Sequence, residues 1–354
     1  MTEQPSHFLR NLWYYALPSA SLKAGQMKPK LLLNEPILFG RDNEGKVFAL
    51  RDICPHRAMP LSFGRFDGRE VECCYHGWRF NGEGTCTHIP ALIGGEGIEP
   101  GKIQVRNYDV HEAQGCIWIF MEDASSAVQR QARKNAAPIP FLPDVAENER
   151  PAVCETMKFS CFVDHAVVGL MDPAHGPFVH TSWWWRSRTS IHEKAKPFGP
   201  SHLGFTMKRH RPSKNSFAYK LLGGAPETEI SFQLPGVRIE HIRAGKNNVV
   251  GLTCVTPIND NETEITHAIY VNRAWLRGLA PIVRPFARRF LDQDRGVVEK
   301  QQKGLKYEQN LLLIRDADTP ARWYQQIKNE FTRAQKEGRE FANPVKETVL
   351  RWRS

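Results

Sequence analysis

The sequence predicts an α+β protein, with a small all-β unit first and a domain built on an antiparallel sheet flanked by helices second. Short apolar runs separated by turn residues fill the first third of the chain, and longer segments with period-two alternation follow in the second half. After Trp275 the apolar spacing becomes helical. At 354 residues the chain exceeds the usual size of a single hydrophobic core. We therefore predict a first domain at 1–122, a linker at 123–150 and a second domain at 151–354.

The composition indicates a globular protein without membrane or nucleic-acid binding. Apolar residues make up 41% of the chain and charged residues 24%. The first residues lack the basic and apolar regions of a signal peptide, and no run approaches the length of a membrane span, so we expect a cytoplasmic protein. The net charge of +10 lies beyond residue 120, but its Lys and Arg residues are scattered. This pattern favours a solvated basic face or a dock for an acidic protein partner over a nucleic-acid site.

The first unit is predicted from its apolar runs. The segments 31–33, 37–39, 47–50 and 115–120 are strand-like, and turn residues such as Asn34 and Gly45 separate them. The run at 47–50 leads directly into a stretch rich in metal-ligand residues.

This stretch contains two Cys/His pairs. Cys54 and His56 form C-x-H, and after a spacer Cys73 and His76 form C-x2-H. Four such ligands could hold a tetrahedral zinc ion. One Cys and one His per loop instead favour a Rieske [2Fe–2S] cluster, in which two cysteines hold one iron and two histidines the other. Cys74 is an alternative to Cys73, but it would change the second spacing. We expect the other six cysteines to be reduced and mostly buried.

A second motif, D-x2-H-x4-H, is formed by Asp172, His175 and His180. Two imidazoles and a carboxylate suit a facial Fe(II) site, because three protein ligands leave positions open for O2. With thirteen histidines in the chain the pattern alone is weak, and two ordinary loop histidines are the alternative.

A meander and two helices are predicted after this motif. Period-two segments at 229–234, 237–242, 249–256 and 263–271 indicate antiparallel strands. Helical spacing relates Phe286, Phe290, Val297 and Gln301, and the polar stretch 320–339 is also predicted to be helical.

Together the two motifs resemble the alpha subunit of the Rieske non-haem iron oxygenases over essentially the whole chain. The length resembles the vanillate and dicamba O-demethylase branch. The resemblance implies a Rieske domain followed by a helix-grip (START-like) catalytic domain. It makes Cys54, His56, Cys73 and His76 the cluster ligands, and His175 and His180 ligands of a mononuclear Fe(II).

The resemblance also assigns two carboxylates. Asp172 becomes an electron bridge rather than a ligand, and the third iron ligand is an Asp five residues before a Glu, which matches Asp294 and Glu299. Asp292 is the competitor, about 200° around the helix. Many family members carry an Asn three or four residues before the bridging Asp, where this chain has Gly169 and Val168.

The implied function is that of a terminal oxygenase using O2 as cosubstrate to hydroxylate or oxidatively demethylate an apolar, aromatic or polycyclic substrate. A homotrimer is implied, and a separate reductase and/or ferredoxin is expected because the chain lacks dinucleotide and ferredoxin motifs. The alternatives are a ring-cis-dihydroxylating dioxygenase and an electron carrier without oxygenase activity. The residues 183–185, three tryptophans, could line the substrate pocket or pack a core or subunit contact.

Overall fold

The computed structural model describes residues 8–93, 97–123, 138–180, 191–212, 225–308 and 310–354. They divide into two compact units, one within residues 10–139 and one within 140–354 that also includes Phe8 and Leu9. The linker predicted at 123–150 lies partly outside the described residues, and the predicted domain boundaries stay a prediction.

The first unit is made of short antiparallel strands. A three-stranded sheet has the order β1-β11-β10, and two four-stranded sheets have the orders β2-β3-β4-β9 and β5-β6-β7-β8. The strands are β1 (Leu12–Pro18), β2 (Gln26–Leu32), β3 (Glu35–Arg41), β4 (Val47–Arg51), β5 (Arg65–Phe66), β6 (Glu70–Glu72), β7 (Arg79–Asn81), β8 (Cys86–His88), β9 (Asn107–Tyr108), β10 (Val110–Ala113) and β11 (Cys116–Met121).

The β2–β3 hairpin shows how local sequence sets this architecture. Leu33 and Asn34 join the two strands with positive φ angles of 52° and 64°, the backbone of a tight turn whose twist matches that of the strands. Elsewhere in the unit, Leu50, Val71 and Phe80 form a hydrophobic core that includes Cys54 and Cys73. The two predicted metal-binding loops therefore pack directly against the hydrophobic core.

The second unit contains one large sheet of eight antiparallel strands in the order β12-β18-β17-β16-β15-β14-β13-β19. Its strands are β12 (Val153–Phe159), β13 (Glu193–Ser201), β14 (Gly204–His210), β15 (Glu227–Gln233), β16 (Val237–Ala244), β17 (Asn247–Asn259), β18 (Glu262–Val271) and β19 (Thr348–Arg353). Its helices among the described residues are α1 (Val163–Met171), α2 (Gly176–Val179), α3 (Ala274–Gly278), α4 (Ala280–Leu305) and α5 (Thr319–Glu337).

Helices cover one face of this sheet. Trp323 of α5 packs on Phe205 at 5.2 Å between ring centroids, and Tyr324 packs edge-on against Phe232 at 5.9 Å. Phe205 and Phe232 are directly opposite each other in the β14–β15 register, so both point to the helical side. On α1, Val167 lies against the same face beside Val255. The α+β prediction is confirmed by this layer of helices on an antiparallel sheet.

The helix predicted from the spacing after Trp275 is present as α4, and its buried stripe lies beside the residues that indicated it. Phe286 and Val297 are 40% and 45% exposed, whereas Ala287, Leu291 and Val298 are the buried residues. Both sets have helical spacing, and packing on the sheet selected the neighbouring stripe. Among the described residues no helix is long and apolar enough to cross a membrane.

Candidate metal centres

The two Cys/His loops of the first unit have the same backbone geometry. In each loop the cysteine N–H donates to the carbonyl five residues later, and the N–H four residues later donates back to the cysteine carbonyl. The partners are Met59 and Ala58 for Cys54, and Trp78 and Gly77 for Cys73. Ala58 and Gly77, which occupy equivalent positions, both have positive φ angles, of 55° and 70°. Two matched turns therefore present one cysteine each.

This equivalence and the burial of the thiols favour Cys73 over Cys74. Cys54 and Cys73 are 1% and 2% exposed, whereas Cys74 is exposed. Burial raises the pKa of Cys54 to about 11; the backbone N–H of His56 opposes this shift, and the nearby Cys73 thiol adds to it. Two buried, adjacent thiols become thiolates only with a shared cation to offset their charge, which fits an iron site.

The two imidazoles lie together on the outer side of these loops. The rings of His56 and His76 are 4.5 Å apart between centroids, and Trp78 stacks on His56 at 4.7 Å with an interplanar angle of 6°. His56 is exposed and His76 half-buried, in contrast to the buried thiols. Sulfur and nitrogen donors are thus separated, as a cluster with sulfur ligands on one iron and nitrogen ligands on the other requires.

In the second unit, one helical turn brings His175 and His180 together. His175 directly precedes α2 and His180 directly follows it, and their Nε2 atoms are 3.1 Å apart. Asp294 comes from α4, on the stripe of Leu291 and Val298 that faces the sheet. Its Oδ1 lies 3.2 Å from His180 Nε2 and 3.7 Å from His175 Nε2.

These three atoms fit a divalent metal ion. Ligand bonds of about 2.1 Å meeting at about 90–110° separate the donor atoms by roughly 3.0–3.5 Å, close to the distances found here. Burial raises the pKa of Asp294 to about 6, although the charges of His175 and Arg238 oppose the shift. A cation between the three donor atoms would offset the free-energy cost of burying the charged Asp294 carboxylate. Two nitrogen donors and one carboxylate oxygen are the ligand set of facial Fe(II) sites with open positions.

The neighbours of His180 leave its Nε2 available to a metal. Its Nδ1 lies 3.2 Å from Gln293 Oε1, and because an amide oxygen accepts, Nδ1 carries the proton. Phe290 stacks on the ring at 3.6 Å between centroids, and His180 is 2% exposed. Gln293 was missed by sequence reasoning, because a glutamine beside Asp294 has no motif of its own.

Asp172 lies behind His175. Its Oδ2 is 3.6 Å from His175 Nδ1, a buried atom that makes no hydrogen bond among the described residues, and its Oδ1 accepts from the Ala174 N–H at 2.6 Å. Burial alone raises the pKa of Asp172, but the His175 ring and the backbone N–H groups of Ala174 and His175 outweigh it, so the net pKa is lowered. Burial lowers the pKa of His175, and Asp172 and Asp294 outweigh it, so the net pKa is raised.

The competing carboxylate Asp292 points elsewhere. It pairs with Arg295 at 2.5 Å and with Arg289 at 3.5 Å on the outer side of α4. Glu299, the partner of Asp294 in the sequence pattern, accepts a hydrogen bond from the Ser160 N–H at 3.2 Å.

Gly169, at one of the positions where the resemblance led us to expect an Asn, lies in a close helix contact. A Cβ at this position would be 3.4 Å from Val298 Cγ2, so an Asn side chain would be directed at the packing of α1 on α4. The residues 183–185 lie outside the described residues.

Comparison with known proteins identifies one domain family in each of the two units. The Rieske [2Fe-2S] domain family matches residues 12–107, and the vanillate O-demethylase oxygenase C-terminal domain family matches residues 169–334. The iron–sulfur subunit TsaM1 of the toluene-4-sulfonate monooxygenase system of Comamonas testosteroni is 42% identical over 120 residues, which cover 34% of this chain and 33% of that protein. The oxygenase component of dicamba O-demethylase of Stenotrophomonas maltophilia is 33% identical over 176 residues, covering 49% and 48%.

The fold is also that of a known structure. Dicamba monooxygenase bound to dicamba superposes with a TM-score of 0.71 and 22% identity, covering 94% of this chain and 98% of that one. The chain spans about half or less of the length of the curated relatives that it matches. By its two domains the chain is an alpha subunit of the Rieske non-haem iron oxygenases. Its second domain is that of the vanillate O-demethylase branch, and the family implies a Rieske cluster and a mononuclear iron as cofactors.

Proposed function

We propose that this protein is a terminal oxygenase that receives electrons through a Rieske cluster and uses O2 at a mononuclear Fe(II). The reaction is hydroxylation, or oxidative demethylation, of an apolar aromatic or polycyclic compound in a catabolic pathway. The observation that carries the proposal is the convergence of His175, His180 and Asp294 in a chain that also contains two matched Cys/His loops.

The first unit would hold the cluster. Cys54 and Cys73 would bind one iron from the buried side, and His56 and His76 the other from the outer side. Neutral imidazoles in place of two thiolates raise the reduction potential, which allows the cluster to accept electrons from a low-potential donor.

The second unit would hold the ferrous ion through His175, His180 and Asp294, and the bound ion supplies O2 activation and C–H oxidation. The chain's own contribution is orientation. Gln293 Oε1 accepts the Nδ1 proton of His180, and the Asp172 carboxylate lies 3.6 Å from His175 Nδ1, where its charge orients that ring. The same Asp172 carboxylate would bridge to a cluster histidine of a neighbouring subunit in a homotrimer.

Partners follow from what the family uses. A separate reductase and/or ferredoxin would deliver electrons. The excess of Lys and Arg beyond residue 120 would attract an acidic electron-donor protein. The relation to dicamba O-demethylase supports demethylation as one of the two reactions. The cytoplasmic location stays a prediction.

The test is metal content combined with nitric oxide, a surrogate for O2 that binds ferrous ions with an open position. The purified protein should contain about three irons per chain, against about two for an electron carrier. Asp294→Ala should lose the third iron and the nitrosyl signal but keep the cluster spectrum. Asp292→Ala is the matched control and should keep all three. Two irons per chain and no nitrosyl signal in the wild type would support the electron carrier. With a substrate in hand, a cis-diol product would identify the dioxygenase alternative.

The bridging role of Asp172 has a separate test. Asp172→Asn should keep both metals, yet electron transfer from the reduced cluster to the iron should become slow, as seen in stopped-flow reoxidation by O2. Hydrogen peroxide should partly restore product because it bypasses that transfer. A wild-type reoxidation rate in Asp172→Asn would remove the bridging role.

A further inference from the structure

A polar cluster lies in the middle of the large sheet, formed by Arg238, Glu240, Thr253 and His267 on strands β16, β17 and β18. In the antiparallel register Arg238 is opposite Thr253, and Thr253 is opposite His267. Glu240 is two residues from Arg238 and therefore on the same face. The cluster thus belongs to one side of the sheet.

Contacts within the cluster are specific. Arg238 Nη2 donates to Glu240 Oε2 at 3.0 Å, and Thr253 Oγ1 lies 2.8 Å from His267 Nδ1. Gly251 is opposite Glu240 and leaves a gap in the cluster. A Cβ at Gly251 would be 3.6 Å from His267 Cε1 and 3.8 Å from Glu240 Cβ, so the space above it is bounded by both side chains.

The cluster is on the side of the sheet that carries the helices and the metal ligands. Arg238 is opposite Phe232, whose ring packs under Tyr324 of α5. The positive charge of Arg238 also acts on the Asp294 carboxylate of α4. Arg238 and Glu240 nevertheless keep 21% of their side-chain surface accessible, and His267 is only half-buried. Polar side chains that keep accessible surface on this side of the sheet can contact a bound small molecule.

The charges of the cluster limit what it can bind. Glu240 already neutralises Arg238, so an incoming anion would have to compete with a carboxylate for the same guanidinium. Burial lowers the pKa of His267 to about 4, so this ring adds no positive charge near neutral pH. A neutral oxygen can accept from the remaining guanidinium N–H groups without displacing Glu240.

We propose that Arg238, Glu240, Thr253 and His267 form a substrate subsite that binds a neutral hydroxyl or carbonyl oxygen on an otherwise apolar molecule, with Gly251 providing the space. The subsite rests on the proposed oxygenase function and narrows its substrate class. It orients the molecule by one polar end and leaves an apolar carbon toward the metal ligands.

Three ligands of nearly equal shape test this chemistry: 4-methylacetophenone, 4-ethyltoluene and 4-methylbenzoate. Each is titrated onto the 354-residue protein loaded with its [2Fe–2S] cluster and with nitric oxide on the ferrous ion, and binding is followed by the change in the nitrosyl spectrum. The ketone should bind about 10- to 100-fold more tightly than the hydrocarbon, the range of a hydrogen bond to a charged donor. The benzoate should bind more weakly than the ketone.

Two variants and one control test whether the preference for the ketone depends on the polar cluster. Arg238→Met/Glu240→Gln removes the ion pair without leaving a lone charge, and it should bring the ketone to the affinity of the hydrocarbon. Gly251→Val should weaken all three ligands more than tenfold and leave the nitrosyl signal unchanged, because the strand accepts a Cβ there. Arg243→Met is the control, since Arg243 lies on the opposite face of β16 and pairs with Asp144.

The outcomes separate the two proposals. Equal affinities for ketone and hydrocarbon in the wild type, no detectable binding of the ketone, or tightest binding of the benzoate would each overturn the subsite. So would a ketone preference that survives in Arg238→Met/Glu240→Gln. Absence of a nitrosyl signal in the wild-type enzyme would instead refute the mononuclear iron site on which the proposed function depends.

Discussion

Replacing Gln293 by leucine tests whether the orientation of His180 is maintained by a single amide. Gln293 Oε1 lies 3.2 Å from His180 Nδ1, and the histidine is 2% exposed, so water has little access to replace the lost acceptor. In Gln293→Leu the imidazole could take the other tautomer, which places a proton on the nitrogen that should bind the metal. We expect weaker metal binding at this site.

The magnitude follows from what remains in place. Losing the hydrogen-bonding partner of a metal-bound histidine typically costs about 10- to 100-fold in affinity. Phe290 still stacks on His180 at 3.6 Å, so the ring keeps its plane and only its tautomer is released. We therefore expect a loss of metal affinity at the lower end of this range, about tenfold or roughly 1.4 kcal/mol. Gln293→Glu keeps an acceptor and should bind metal at least as tightly as the wild type.

The assay is a Co²⁺ titration of enzyme stripped of mononuclear iron, with the cluster absorbance as an internal measure of folding. Gln301→Leu serves as the control, because Gln301 is an exposed glutamine on the same helix. Wild-type affinity in Gln293→Leu, or equal losses in Gln293→Leu and Gln301→Leu, would refute the reasoning.

Three further predictions concern the ligands of the [2Fe–2S] cluster, the pH dependence of metal binding and the thermal stability of the protein. Cys73→Ser should abolish the paramagnetic signal of the reduced cluster while Cys74→Ser keeps it; the reverse result would mean that the ligand is misassigned. The pKa of Asp294 is raised to about 6 and that of His175 is also raised, so protons should compete with Co²⁺ for both ligands as the pH falls, and the Kd should rise more than tenfold per pH unit below pH 6; a Kd constant between pH 7 and 5 contradicts this. Tyr324 donates to Asp164 at 2.6 Å, so Tyr324→Phe should cost about 1 kcal/mol and lower the calorimetric Tm by about 2–4 °C; an unchanged Tm would show that this bond does not contribute.

Much of the candidate chemistry was predictable because its residues are neighbours in the chain. His175 and His180 are separated by a single helical turn, so their spacing alone was enough to suggest a shared site. The period-two strands of the large sheet were likewise predicted because each alternation depends only on local sequence.

Other features depend on contacts between distant segments. The sequence favoured Asp294 over Asp292 only through the family resemblance, and the packing of Leu291 and Val298 on the sheet is what turns Asp294 toward the histidines. The same packing placed Phe286 on the exposed side of α4.

The class of protein could be predicted from the sequence, because the residues of each ligand pair lie within one short loop. Packing between distant segments established which residues face each other across helices and strands. It brought Gln293 to His180 from a separate helix, and it assembled Arg238 and His267 on one sheet face across two strand pairings. Side-chain chemistry and turn geometry are local properties, whereas the orientation and burial of side chains arise from the packing of helices on the sheet.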